Sequence, residues 1–149
     1  MLFNGNNLGE IEHVVSAVNG HISYPSPINY FRMMKYDGQS LIICGSSNPS
    51  THHELEIKFN EVFHFNGDFD WARNVHKTFL YIADFFDDEY NHGRNARLKF
   101  AIQTDDFYYH SRENKIVIWA RGISYSTEKV VYSRYSSLAE EIKTGTTGV

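Results

Sequence analysis

Cysteine is nearly absent. Cys44 stands alone among 149 residues, so no internal disulfide can form and a packed core must hold the chain together. Proline is scarce too: Pro25, Pro27 and Pro49 all sit in loop-like settings, and no Pro/Gly/Ser-rich linker divides the sequence. Long apolar runs are missing. The longest mostly apolar stretch, residues 79–86, is broken by Asp84 and falls far short of the ~20 residues of a membrane span, so no membrane partner is expected. The opening residues carry neither the basic nor the apolar segment of a secretory signal, and with one unpaired cysteine the expected compartment is the cytoplasm. Cations are the minority charge, 14 Lys and Arg against 18 Asp and Glu. A formal charge of −4 argues against nucleic acid as a partner, because phosphate contacts need clustered cations.

What the chain does have is aromatic side chains: 11 Phe, 10 Tyr and 2 Trp make up 15% of it, more than a core of this size needs. A chain of this length can bury roughly 70% of its extended surface, enough for a real core in one domain. Residues 1–143 are expected to form that single domain. Residues 144–149, with little to pack, are expected to form a disordered tail.

Hydrophobic periodicity predicts the elements. Ile11, Val14, Val15 and Val18 share one face of a helix over residues 9–18, with Asn7 as N-cap, Glu10 three residues on, and Asn19-Gly20 as the stop. Residues 28–36 and 39–44 flank Asp37-Gly38, a dipeptide favouring a two-residue hairpin turn. After a polar loop, Leu55, Ile57 and Phe59 alternate with Glu54, Glu56 and Lys58, a strand buried on one face. The alternation runs on to Phe63 and Phe65 with Glu61 out of phase, so a bulge is expected near Asn60-Glu61.

For residues 68–86 two patterns compete. Trp71, Ala72, Val75, Phe79, Ile82, Ala83 and Phe86 make a helical face, while residues 78–82 favour a strand; the expectation is a helix capped by Asp68. Strands are expected over 97–103, 107–110, 115–125 and 130–135, with Gly122 marking a bulge or bend. Ser137 and Glu140 signal a short final helix ending near Lys143. The fold class expected is therefore α+β, with an antiparallel sheet of about six or seven strands and about two or three helices.

No cofactor is expected and no catalytic residue can be named. The histidines His13, His21, His52, His53, His64, His76, His92 and His110 fall in no metal-ligand spacing, and on a strand His52 and His53 point to opposite faces. His53 and His64 could converge only across a sheet, so no metal site is assigned. His21-Ile22-Ser23 and His76-Lys77-Thr78 resemble the paired motifs of two-histidine phosphoesterases, but about one such match arises by chance in a chain of this composition. Cys44, following Leu41-Ile42-Ile43, reads as a small buried hydrophobe without a catalytic-cysteine signature.

Acids interleaved with aromatics carry the functional expectation. Asp84-Phe85-Phe86-Asp87-Asp88-Glu89-Tyr90 is one block and Asp105-Asp106-Phe107-Tyr108-Tyr109 the other. Aromatic rings supply contact area at low entropic cost, and carboxylates steer a basic partner. The expected partner-binding residues are Phe86, Asp87, Asp88, Glu89, Tyr90, Asp105, Asp106 and Tyr108. In general character such a small acidic, aromatic-rich, strand-rich domain resembles bacterial immunity and inhibitor proteins. That likeness implies a protein partner with a basic surface. Two rival readings are a small hydrolase or ligand-binding protein with a histidine-lined pocket, drawing on His64, His76 and His110, and a homo-oligomeric subunit with its aromatics at its own interface.

Overall fold

Chain order alone does not reveal which strands pair; register does. The computed structural model describes residues 2–5, 7–23, 25–67, 70–73, 77–86, 97–104 and 115–132. Among them the chain forms one helix, α1 (Leu8–Ile22), and twelve strands: β1 (Leu2–Gly5), β2 (Tyr30–Tyr36), β3 (Leu41–Ser46), β4 (His52–His53), β5 (Leu55–Asn60), β6 (His64–Asn66), β7 (Asp70–Ala72), β8 (Leu80–Phe86), β9 (Arg97–Gln103), β10 (Lys115–Ala120), β11 (Gly122–Ser126) and β12 (Val130–Val131). They assemble into a six-stranded sheet ordered β1-β11-β5-β3-β2-β7, a four-stranded sheet ordered β6-β10-β9-β8, and the small pair β12-β4. Every pairing is antiparallel.

The architecture is mainly β, which corrects the α+β expectation of one sheet with two or three helices. The expected final helix lies outside the described residues. The expected helix over 68–86 is overturned: its described parts are β7 and β8. Strand propensity in residues 78–82 prevails because β8 pairs with β9 and buries Leu80, while β7 pairs with β2 and buries Trp71.

Consecutive strands change between the two larger sheets at β5–β6, β6–β7, β7–β8 and β10–β11. β5 belongs to the larger sheet and β6 to the smaller, and between them Glu61 adopts φ 53 in the left-handed region. The expected bulge at 60–61 is therefore a change of sheet. The same happens between β10 and β11, where Gly122 opens the second strand after Arg121. The inner faces meet in one core, with Phe59 of β5 edge-on to Phe100 of β9 at 5.2 Å between centroids. Helix α1 contacts β1 and β11 of one sheet and β8 of the other, closing the side between them with Ile11, Val14, Val18 and Ile22.

The Asn7 cap is present: its side-chain oxygen accepts the Glu10 N–H at 2.9 Å. Asn19-Gly20 does not stop the helix. Ile22 extends the buried stripe by one turn, and the Asn19 amide is occupied with the Leu80 backbone, donating to its C=O at 2.7 Å and accepting its N–H at 2.9 Å. The expected hairpin forms as β2 and β3, centred one residue later than the Asp37-Gly38 reading. The Asp37 N–H donates to the Ser40 C=O, Gly38 takes φ 90, and the Asp37 carboxylate accepts the Gln39 and Ser40 N–H groups. Leu55, Ile57 and Phe59 are fully buried on β5, and the alternate residues are half-buried.

Candidate functional site

On β10 the inward residues are Ile116, Ile118 and Ala120, so strand parity turns Trp119 outward. Its register partners define a row across the outer face of the smaller sheet: Asp84 on β8, Lys99 on β9, Trp119 on β10 and His64 on β6. Phe63, just before β6, donates its N–H to the Trp119 C=O at 3.0 Å and sets its ring 6.2 Å from the indole. The Arg97 guanidinium lies 5.7 Å from the centre of the Phe63 ring. This pair forms a ridge between two hollows. One of about 430 Å³ is lined by Phe63, His64, Asp84, Arg97 and Trp119. The other, about 370 Å³, is lined by Phe63 and Arg97 together with Gly38, Gln39, Glu61, Val62 and Arg121. Phe63 is 48% exposed and Phe85 37%, large rings left in water at one end of the sheet.

The Phe86 backbone pairs with Arg97 at that same end. Asp87, Asp88, Glu89, Tyr90, Asp105, Asp106 and Tyr108 lie outside the described residues, as does the expected strand over 107–110. Phe86 ends β8 beside the start of β9, whereas Thr104, which precedes Asp105, follows the far end of β9 and bridges Arg73. A seven-residue strand spans about 20 Å, so the chain leaves this sheet toward the two blocks from opposite ends. Phe63, Arg97 and Trp119 were not among the expected site residues. The parity of β10 was the available signal for Trp119; nothing local marked Arg97.

The outer face of the larger sheet carries a polar row instead. Register aligns Asp70, Arg32, Cys44, Glu56 and Ser126 across β7, β2, β3, β5 and β11. The β4-β12 pair delivers His53 and Tyr132 to this face. His53 is fully buried; its Nε2 lies 2.6 Å from Glu56 Oε2 and its Nδ1 2.7 Å from the Tyr132 hydroxyl. With Glu56 ionised, the consistent assignment has Nε2–H donating to the carboxylate and Nδ1 accepting from Tyr132. Arg32 sits over the Tyr132 ring at 5.3 Å. Burial pushes the Tyr132 phenol above its usual range, against the pull of Arg32. The Cys44 sulfur, and after it Tyr132, hold the Arg32 guanidinium above its ordinary value although burial opposes this. Beside the row opens a cleft of about 280 Å³ whose lining includes Tyr30, Arg32, Cys44, Asp70, Trp71 and Tyr132.

His52 points away from its neighbour, within 3.1 Å of Ser47 Oγ and 3.2 Å of Glu54, as opposite strand faces require. His64 stands exposed on the smaller of the two main sheets and does not converge with buried His53, which the β4-β12 pair holds against the larger sheet's Glu56. Among the described residues no three His, Cys, Asp or Glu side chains gather as metal ligands. His21 is exposed in the last turn of α1, and His76 and His110 lie outside the described residues. Cys44 is buried, as expected, but faces Arg32 and the cleft rather than the core between the sheets. No helix among the described residues is long and apolar enough to cross a membrane. The chain matches no family model, and comparison with curated proteins and with solved structures likewise finds no match.

Proposed function

We propose that the chain is a protein-binding module of inhibitor or immunity type, docking a basic partner with the end of its smaller sheet. The observation that supports this reading is the Phe63–Arg97–Trp119 ridge. Aromatic residues and arginine dominate interface energetics; here Phe63 and Arg97 stand between two hollows, with Trp119 lining one of them, at the point where the first acid-aromatic block begins. Asp84 and the acids that follow Phe86 would supply the steering charge, consistent with the net charge of −4.

The two kinds of residue should act on different rate constants. Against the partner isolated from the native host, Asp87→Asn with Asp88→Asn should slow association and flatten its salt dependence, since screening acts over ~8 Å at physiological ionic strength. Phe63→Ser or Trp119→Ser should instead speed dissociation by about tenfold or more, as hot-spot rings act after encounter. Unchanged dissociation in both ring variants would refute the reading.

A further inference from the structure

We propose that the cleft on the outer face of the larger sheet binds a free α-amino acid with an apolar or aromatic side chain, Arg32 taking the carboxylate and Asp70 the ammonium. Arg32 and Asp70 are direct register partners on β2 and β7, and both line the cleft. Directly opposed residues on antiparallel strands place their Cβ atoms roughly 5 Å apart. An amino acid carries its two charges on one carbon, so a neighbouring cation and anion match that head group. Both charges are available. Among the described residues neither Arg32 nor Asp70 makes an ion pair, with the other or with a third group.

The rest of the cleft fits the body of such a ligand. Its volume of about 280 Å³ lies at the small end of the range for ligand clefts, which starts at roughly 300 Å³. Tyr30, Pro49, Trp71 and Ala72 line it with ring and aliphatic surface. Arg32 is positioned by Tyr132, which lines the same cleft. Its guanidinium lies over Tyr132, whose hydroxyl is anchored to His53 and through it to Glu56, so the cation is set in place with donors to spare. Asp70 also discriminates: a plain carboxylate or a phosphate would meet its like charge, whereas an ammonium next to the carboxylate neutralises it.

Titration calorimetry on the full chain tests this with L-phenylalanine and L-leucine as probes. 3-Phenylpropionate and 2-phenylethylamine serve as comparators lacking the ammonium and the carboxylate respectively. At least one amino acid should bind saturably at one site per chain, and each comparator should bind about tenfold more weakly or worse, the scale of one lost charged hydrogen bond. Arg32→Gln and Asp70→Asn should each cost about tenfold as well. Asp70 is exposed on an edge strand, so its variant keeps the fold even if loss of Arg32 disturbs Tyr132. Equal binding of phenylalanine and 3-phenylpropionate, an Asp70→Asn variant of unchanged affinity, or no binding of either amino acid up to about 10 mM, some four orders weaker than a micromolar site, would overturn the assignment.

Discussion

Glu54 gathers three contacts on one carboxylate oxygen: the Ser47 N–H and Oγ–H, each at 2.6 Å, and His52 Nε2 at 3.2 Å. Burial alone would raise its pKa, but the two Ser47 bonds and the imidazole together lower it. A carboxyl depressed in the folded state stabilises the fold fully above its ordinary value near 4.5, and that contribution disappears as pH falls through the lowered value. Glu54→Gln is therefore expected to lower stability by about 1–2 kcal/mol at neutral pH. In urea denaturation the gap to the unaltered chain should narrow progressively as pH falls below the ordinary carboxyl value near 4.5. His53 poses a sharper case, since both ring nitrogens are bonded while the ring is sealed from water. His53→Leu should cost about 2–4 kcal/mol by stranding Glu56 and Tyr132, and Tyr132→Phe about 1 kcal/mol. In a double-mutant cycle the two losses should be clearly non-additive, because one network carries both. The polar row itself was hidden in the sequence. Arg32, Cys44 and Glu56 are neighbours only through register, which single-strand alternation does not encode.

Two glycines within regular elements should respond in opposite directions to the same substitution. Gly20 lies inside α1, where an added Cβ would meet nothing within 4 Å. Gly20→Ala is expected to raise stability by about 0.5–1 kcal/mol, since alanine has less backbone freedom to lose on folding. At Gly45 on β3 an added Cβ would stand 2.6 Å from Phe31 Cε1 and 3.0 Å from Ile28 Cγ2, inside the core. Gly45→Ala should lower stability by about 1–3 kcal/mol through overpacking, and the two thermal midpoints should move apart. Elements with a clean period were legible: α1 from its apolar stripe and cap, β5 from strict alternation, β9 and β10 from their apolar positions. Residues 68–86 misled because Trp71, Phe79 and Ile82 fit a helical face while each packs from a strand or its flank. Phe79 meets Phe31 at 4.3 Å, beside the Phe31–Trp71 stack. β1 was not foreseen; four residues at a sheet edge give too little pattern to read.

On the scale of the whole molecule, the chain builds its core by changing sheet several times, β7 standing between two such changes, with the crossings at Glu61 and at Arg121–Gly122 lying in fully described chain. Those crossings were visible only as faults in the alternation, read as a bulge and a bend. They matter for function because they leave each sheet one outward face: polar Arg32 and Glu56 on the larger, Trp119 and its neighbours on the smaller. The second face is the one proposed to meet a protein partner. Quantitative affinity capture from the native host tests that proposal most directly, using the unaltered chain, Phe63→Ser with Trp119→Ser, and Tyr36→Ser as a control ring on β2. Tyr36 is 53% exposed, yet it lines neither hollow. The expected result is a partner recovered equally by the unaltered chain and the Tyr36 variant, and reduced about tenfold or more by the paired variant. Equal recovery by all three proteins would contradict the claim.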